Sequence, residues 1–163
     1  MKTLYLLRHA HSAPNTPPMS DFERVLTPQG IQEARAVGQF MRMQEMFPEF
    51  VLSSSSVRTT QTAQLTFGEL FDKPDIEVAG HFDPKFYHAS AAEMLSEIQS
   101  VDSSINSLIM VGHNPGIANL AFTFGKMVEY KPATLSVFFA DCKSWHDFLP
   151  EKVKLEKVFC PGD

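Results

Sequence analysis

Two hydrophobic patterns alternate along the chain. Residues 3–7 and 108–111 are short continuous apolar runs, which are typical of strands buried on both faces of a sheet. Between residues 31 and 41 the apolar side chains recur instead at helical spacing, behind a Thr27-Pro28 pair that favours a helix start. The pattern therefore predicts strands that alternate with helices.

The other predicted elements follow the same patterns. Further strands are expected at residues 50–52, 76–78, 135–140 and 145–149, and helices at residues 28–46, 57–71, 91–101 and 114–124. The lysine-rich segment after Pro150 is expected to be a solvated edge or tail. This order predicts an α/β fold, a three-layer α/β/α sandwich with a mostly parallel sheet.

Length and composition agree with one globular domain over residues 1–163. The hydrophobic fraction is 44% and the charged fraction 20%, which excludes a disordered tail and a disulfide-stapled miniprotein. No apolar run approaches the roughly 20 residues of a membrane span, and the N-terminus turns polar at Arg8. We therefore expect a cytoplasmic protein with no membrane contact, in which Cys142 and Cys160 are reduced thiols.

The charge balance restricts the partners that the protein can have. Fourteen basic and nineteen acidic residues give a net charge of −5, and the sequence has no basic stripe. A nucleic-acid partner is therefore not expected. Any site for an anion must be a local basic pocket.

Such a pocket is predicted from the residues that follow three strands. Arg8 and His9 end the first strand, Arg58 lies just inside the helix after the second, and His113 follows the apolar run at 108–111. Ligands of such sheets bind beyond the carboxyl ends of the strands, so these four side chains should meet there. Guanidinium forks and a helix N-terminus suit a phosphoryl group, and a histidine beside it can transfer protons or attack phosphorus.

Three blocks in order resemble the signature of the histidine phosphatase superfamily, which includes the phosphoglycerate mutases. They are Leu7-Arg8-His9-Ala10, residues 51–63 (VLSSSSVRTTQTA) and Val111-Gly112-His113-Asn114-Pro115. The second block departs from the family pattern, because Ser55 replaces the usual proline and Thr59 an alanine. The resemblance implies a phosphoglycerate mutase-like fold.

Within the superfamily the chain looks most like the short, SixA-like phosphohistidine phosphatases. The small size and two segments carry this resemblance: Asp21-Phe22-Glu23-Arg24 followed by Leu26-Thr27, and Phe86-Tyr87-His88-Ala89-Ser90. The larger mutases have insertions that cover the site, for which this chain has little room. An open site suits a phosphorylated histidine on the surface of another protein.

The resemblance also assigns roles to residues. It makes His9 the nucleophile, and Arg8, Arg58 and a cationic His113 the groups that bind the phosphoryl oxygens. Asn15 lies where the family often has an asparagine that contacts phosphate.

The donor of a proton to the leaving group stays open. Asp83 holds the position of the family's acidic residue after the third strand, and His88 lies in a loop nearby. A protonated imidazole leaves phosphorus with less help than an alkoxide does. A weak proton donor in the site would therefore favour phosphohistidine over ordinary phosphate esters as the substrate. We expect Asp21 and Arg24 to form an ion pair that holds their loop.

The expected function is therefore a metal-independent phosphatase that acts through a phosphohistidine intermediate on phosphohistidine in a protein. The alternatives are a phosphatase or mutase of small phosphoesters, and a phosphate-binding module without turnover. The second alternative is disfavoured because His9 and both arginines are present. We expect no cofactor, no metal site at His9 and His11, and a monomer.

Overall fold

A six-stranded sheet forms the centre of the protein in a computed structural model, which describes residues 1–162. Its spatial order is β3-β2-β4-β1-β5-β6. The strands are β1 (Lys2–Arg8), β2 (Phe50–Ser54), β3 (Gly80–Asp83), β4 (Ser107–Gly112), β5 (Leu135–Ala140) and β6 (Lys154–Phe159). The first four run parallel to one another, and β5 and β6 join antiparallel at the side of β1.

Four α-helices cover the two faces of the sheet. They are α1 (Pro28–Met43), α2 (Val57–Leu70), α3 (Ala91–Gln99) and α4 (Gly116–Thr123). Strand β1 shows the division, because Leu4 and Leu6 pack in the core with α3 and α4 while Tyr5 and Leu7 pack with α1 and α2. The predicted three-layer α/β/α sandwich with a mostly parallel sheet is confirmed.

Helices α1 and α2 approach each other closely because glycine stands at their contact. A Cβ atom on Gly38 would lie 2.3 Å from the backbone oxygen of Thr66, so no larger residue fits without movement of a helix. Helix α1 begins as predicted, since the side chain of Thr27 accepts a hydrogen bond from the Gly30 N–H. It ends at Met43, before the predicted 46, and Glu45 has a positive φ of 55°.

Two predicted strands are wrong. Residues 76–78 have no regular structure, and β3 begins at Gly80, whose missing Cβ allows the close approach of the Val51 backbone. Residues 145–147 form a 3-10 turn, because Ser144 accepts a hydrogen bond from the His146 N–H. That turn buries Trp145, whose apolar side chain suggested a strand.

The chain after Pro150 has more structure than a tail. It forms a 3-10 turn and then β6, an edge strand whose residues alternate between exposed and half-buried. This agrees with the solvated-edge alternative. Cys142 and Cys160 are free thiols, and no helix within residues 1–162 is long and apolar enough to cross a membrane.

Candidate active site

Strands β1 and β4 bring the two predicted histidines together. The strands pair in parallel, with Arg8 opposite Gly112, so the residues that follow them lie side by side. The ring centroids of His9 and His113 are 5.3 Å apart. The predicted meeting of side chains at the carboxyl edge of the sheet is thus observed for this pair.

His9 is held in one tautomer. Its ring is buried, with 8% of the residue exposed, and Nδ1 lies 2.8 Å from the backbone oxygen of Ala10. A carbonyl oxygen only accepts hydrogen bonds, so Nδ1 carries the proton and Nε2 has the free lone pair when the ring is neutral. Burial and then the arginines lower the pKa of His9 to about 4, which keeps the ring neutral at pH 7.

The two arginines are anchored at their ends. Arg8 donates from Nη1 to the backbone oxygen of Tyr130 at 2.8 Å, and Arg58 donates to Asp21. The Tyr130 oxygen also accepts from the Asn114 side chain at 3.0 Å, which ties the loop after β4 to Arg8. Arg58 stands on the first turn of α2, as predicted.

Several buried nitrogen atoms at this site have no internal partner. Within residues 1–162, the Nε atoms of Arg8 and Arg58 and both ring nitrogens of His113 are buried and form no hydrogen bond. Buried polar groups are normally paired, and unpaired ones cluster where a ligand binds. The site therefore has the donors that a phosphoryl group requires.

His113 is also neutral at pH 7. Burial, followed by the neighbouring His9 and Arg58, lowers the pKa of His113 to about 3. The sequence predicts a cationic His113 only with a bound phosphoryl group. A dianion beside the ring would favour its proton uptake.

Asp21 has a larger part in the site than the sequence indicates. Its predicted ion pair with Arg24 is present at 2.8 Å. The same carboxylate also pairs with Arg58 at 3.0 Å and accepts a short hydrogen bond from the Tyr87 hydroxyl. Tyr87 in turn stands edge-on to His113, with ring centroids 5.2 Å apart.

Asp21 and Tyr87 could not be identified from the sequence as site residues. Asp21 is 37 positions from Arg58 along the chain, and Tyr87 is 66 positions from Asp21. Neither residue stands at the end of a strand. Both stand in the two segments that carry the SixA-like resemblance, which is the one signal that could have marked them.

The two candidate proton donors occupy different surroundings. Asp83 ends β3 and its carboxylate accepts a hydrogen bond from the Lys85 N–H at 2.8 Å, which caps the next turn. His88 is exposed, and its ring centroid lies 4.1 Å from that of Tyr87. Asn15 is exposed on a proline-rich loop. Its side chain forms no hydrogen bond with any other residue in the described part of the chain.

A surface pocket of about 220 Å³ lies beside His113. Its wall is shared by the loop of residues 86–90 and the start of α4, so it includes His88 and Asn114. Among the described residues no group of three or more His, Cys, Asp or Glu is placed to share a metal ion. His11 bonds to Thr27 instead, with Nδ1 and Oγ1 2.7 Å apart.

Known proteins are similar to this chain in sequence and in fold. The family model of the histidine phosphatase superfamily, branch 1, matches residues 4–78. An uncharacterised chloroplastic protein of Arabidopsis thaliana is 30% identical over 172 aligned residues, which cover 98% of this chain and 78% of that protein.

Two solved structures show the similarity of the fold. SixA from Agrobacterium tumefaciens superposes with a TM-score of 0.81 at 25% identity over 99% of both chains. The protein histidine phosphatase SixA complexed with tungstate gives 0.79 at 18% identity, over 98% of this chain and 97% of that one. The chain therefore belongs to the histidine phosphatase superfamily, and its fold is that of the SixA-like members.

Proposed function

We propose that the protein removes phosphate from phosphohistidine in a protein, without a metal ion, through a phosphohistidine intermediate on His9. The observation that carries the proposal is the state of His9. Its Nδ1 is committed to the Ala10 oxygen, which leaves Nε2 as a nucleophile, next to buried donors that have no partner. Family membership and the likeness to SixA support the same chemistry.

In the first step, Nε2 of His9 forms a bond to phosphorus while the bond from phosphorus to the substrate imidazole breaks. The leaving nitrogen keeps the electron pair of that bond and takes a proton. Arg8, Arg58 and His113 bind the phosphoryl oxygens, on which negative charge is spread in the transition state. Each such preorganised donor contributes about 10²–10³ in rate.

In the second step, the oxygen of a water molecule bonds to phosphorus and the phosphorus–Nε2 bond breaks. Its electron pair returns to Nε2, which restores neutral His9, and the water gives up one proton. The products are orthophosphate and free enzyme. The proton donor of the first step becomes the acceptor here.

We propose His88 as that donor and acceptor, in preference to Asp83. His88 lines the pocket beside His113, whereas Asp83 is not among the residues that line it, and its Oδ1 accepts a hydrogen bond from the Lys85 N–H. An imidazole has one nitrogen that donates a proton and one that accepts a proton, which are the two tasks that the reaction requires. A contact between Asn15 and the phosphoryl group stays a prediction.

The pocket supports a protein substrate over a small phosphoester. It opens at the surface between an exposed histidine loop and the first turn of α4, and His88, Asn114 and Asn119 on its wall are exposed. A side chain presented on another protein can enter such an opening. An enclosed pocket would instead favour a small molecule.

The test is phosphate release, with EDTA present, from a phosphohistidine peptide and from an aryl phosphate. We expect turnover by the wild type that is faster on the peptide by at least about tenfold, and none above background by His9→Ala. Faster turnover of the aryl ester would move the function to small phosphoesters. Turnover of neither substrate by folded protein would leave a phosphate-binding module.

The same assay separates the two proton donors. With an alkyl phosphate as a third substrate, His88→Gln should lower the rate on the alkyl ester about 10²-fold and that on the peptide less, because general acid catalysis matters more for the poorer leaving group. Asp83→Asn should leave both rates within about twofold. A large loss on the alkyl ester with Asp83→Asn and none with His88→Gln would assign the role to Asp83.

A further inference from the structure

Asp21 connects three elements that surround the site. Arg58 of α2 donates from Nη1 to the backbone oxygen of Asp21 at 2.7 Å and from Nη2 to Oδ2 of Asp21 at 3.0 Å. The hydroxyl of Tyr87, from the loop after β3, donates to the same Oδ2. Arg24 donates to Oδ1 at 2.8 Å and to the backbone oxygen of Ala13 at 2.6 Å, which holds Asp21 in its own loop.

Asp21 contacts only the edge of the Arg58 guanidinium that is formed by its two terminal nitrogens. Arginine has five N–H donors in a rigid plane, and Asp21 engages one terminal nitrogen with its backbone oxygen and the other with its carboxylate. The remaining nitrogen, Nε, is buried and has no partner within residues 1–162. The edge of the guanidinium that includes Nε is therefore the part available to an oxyanion.

We propose that Asp21 is a positioning residue that fixes Arg58 so that its Nε edge binds the phosphoryl group. The inference rests on the phosphoryl-binding role proposed for Arg58. A buried guanidinium on a flexible stem has several rotamers, and two bonds to one rigid partner select one of them. The hydrogen bonds from Tyr87 and Arg24, with the charge of Arg58, hold the pKa of Asp21 well below its ordinary value, so it stays ionised at any working pH.

Tyr87 extends this positioning to His113. Its hydroxyl is bound to Asp21, while its ring stands edge-on to His113 and lies 5.7 Å from the Arg58 guanidinium carbon. Two of the groups assigned to the phosphoryl oxygens thus share one support. Removal of the Tyr87 hydroxyl should loosen this support without removing the ring.

The opposite role for Asp21 makes an opposite prediction. A carboxylate beside Arg58 could act as a competing anion, which a phosphoryl group displaces. Loss of Asp21 would then free a cation and tighten the binding of anions. A positioning residue, when lost, weakens that binding.

The experiment is calorimetric titration of the folded protein with orthophosphate. We expect Asp21→Ala to weaken binding about tenfold and Tyr87→Phe about threefold, because the first removes the ion pair with Arg58 and the second removes only one hydrogen bond to the Asp21 carboxylate. Asp102→Ala is the matched control, since it removes an exposed aspartate before β4, at the other end of the sheet from the site. It should leave binding within about twofold.

A double-mutant cycle shows whether Asp21 acts through Arg58. In an Arg58→Ala background, Asp21→Ala should change orthophosphate binding by less than about twofold. Tighter binding by Asp21→Ala, or an equal loss in both backgrounds, would overturn the proposal. If Asp21→Ala does not fold, unchanged binding by Tyr87→Phe overturns it.

This readout is independent of the proposed function. A wild type that binds orthophosphate but hydrolyses no substrate contradicts the phosphatase proposal and leaves the role of Asp21 to be decided by the titration. A wild type that turns over phosphohistidine while Asp21→Ala binds orthophosphate normally contradicts the role of Asp21 alone.

Discussion

The two histidines of the candidate site, His9 and His113, both have pKa values well below that of an ordinary histidine. Burial and neighbouring positive charge lower the pKa of His9 to about 4 and that of His113 to about 3. A neutral His9 has the lone pair that a nucleophile needs. A neutral His113 has two buried ring nitrogens without a partner, and it can accept a proton when a dianion arrives.

Binding of a dianion should therefore add a proton to the protein. We expect titration with tungstate at pH 7.5, in buffers of different ionisation enthalpy, to show uptake of about one proton per site. The uptake should persist in His9→Asn and disappear in His113→Asn. Heats that do not depend on the buffer would show that His113 stays neutral in the complex.

The core of the site was predictable from single residues, and its support was not. Arg8, His9 and His113 follow strands at fixed offsets, which a sequence displays directly. The contacts of Asp21 with Arg58 and Tyr87 join residues 37 and 66 positions apart, and they depend on the way that the loop of Asp21, helix α2 and the loop after β3 come together. Local sequence patterns contain no record of such contacts.

At the scale of elements, the contact between α1 and α2 holds the helix that presents Arg58. Its closest point is Gly38, where an added Cβ would stand 2.3 Å from the Thr66 backbone oxygen and 2.8 Å from the Glu69 Cβ. Neither neighbour can turn away as the end of a flexible side chain could. Alanine at this position must therefore push the helices apart.

We expect Gly38→Ala to lower the free energy of unfolding by about 2 kcal/mol in urea denaturation, as overpacked contacts do. Gly68→Ala is the matched control in α2, because its added Cβ would meet Pro74 only at 3.4 Å, an ordinary contact distance. That variant should be as stable as the wild type or slightly more stable, since alanine favours helix. Equal stability of Gly38→Ala and the wild type would mean that the helices separate freely.

The wrong element predictions have a common cause. Residues 76–78 and 145–149 contain β-prone apolar side chains, yet neither segment forms a strand. In the first segment the strand begins only at Gly80, because a residue without a Cβ is needed for close pairing with β2. In the second segment the chain forms a 3-10 turn, because the Ser144 side chain caps it. Tertiary approach and local capping, rather than side-chain propensity, decide both cases.

At the scale of the whole molecule, the sheet gathers cationic groups on an acidic protein. The net charge is −5, yet Arg8 and Arg58 lie at one edge of the sheet, where burial and then the charge of Arg58 lower the pKa of Arg8. The alternation of strands and helices was sufficient to predict this layout, because parallel strands must place their carboxyl ends together. The antiparallel strand β6 was predicted only as an edge or tail, because its residues alternate weakly.

The neutral histidines should make the whole protein sensitive to acid. The pKa values of His9 and His113 are lowered in the folded state, while an unfolded histidine titrates near 6.5. The unfolded chain therefore binds more protons than the folded protein between pH 6.5 and about 4. The free energy of unfolding accordingly decreases as the pH is lowered through that window. It should fall by up to about 1.4 kcal/mol per pH unit for each histidine.

Urea denaturation at several pH values between 7 and 4.5 measures this slope, with His9→Asn as the comparison. The free energy of unfolding of the variant should decrease less steeply as the pH is lowered, because one of the two histidines with a lowered pKa is absent. The lowered pKa of Asp21 contributes only below its ordinary value near 4, so it does not enter this window. Parallel curves for wild type and variant would show that burial of His9 has no proton linkage.

The central claim is that His9 becomes phosphorylated during turnover, and trapping the intermediate tests it most directly. Wild type mixed with a phosphohistidine peptide would be quenched in alkali within one turnover, digested and examined by mass spectrometry. We expect one added phosphoryl group on the peptide that contains His9, absent in His9→Asn, which should also release no phosphate. Turnover by His9→Asn, or a phosphoryl group on another residue of the active enzyme, would contradict the account.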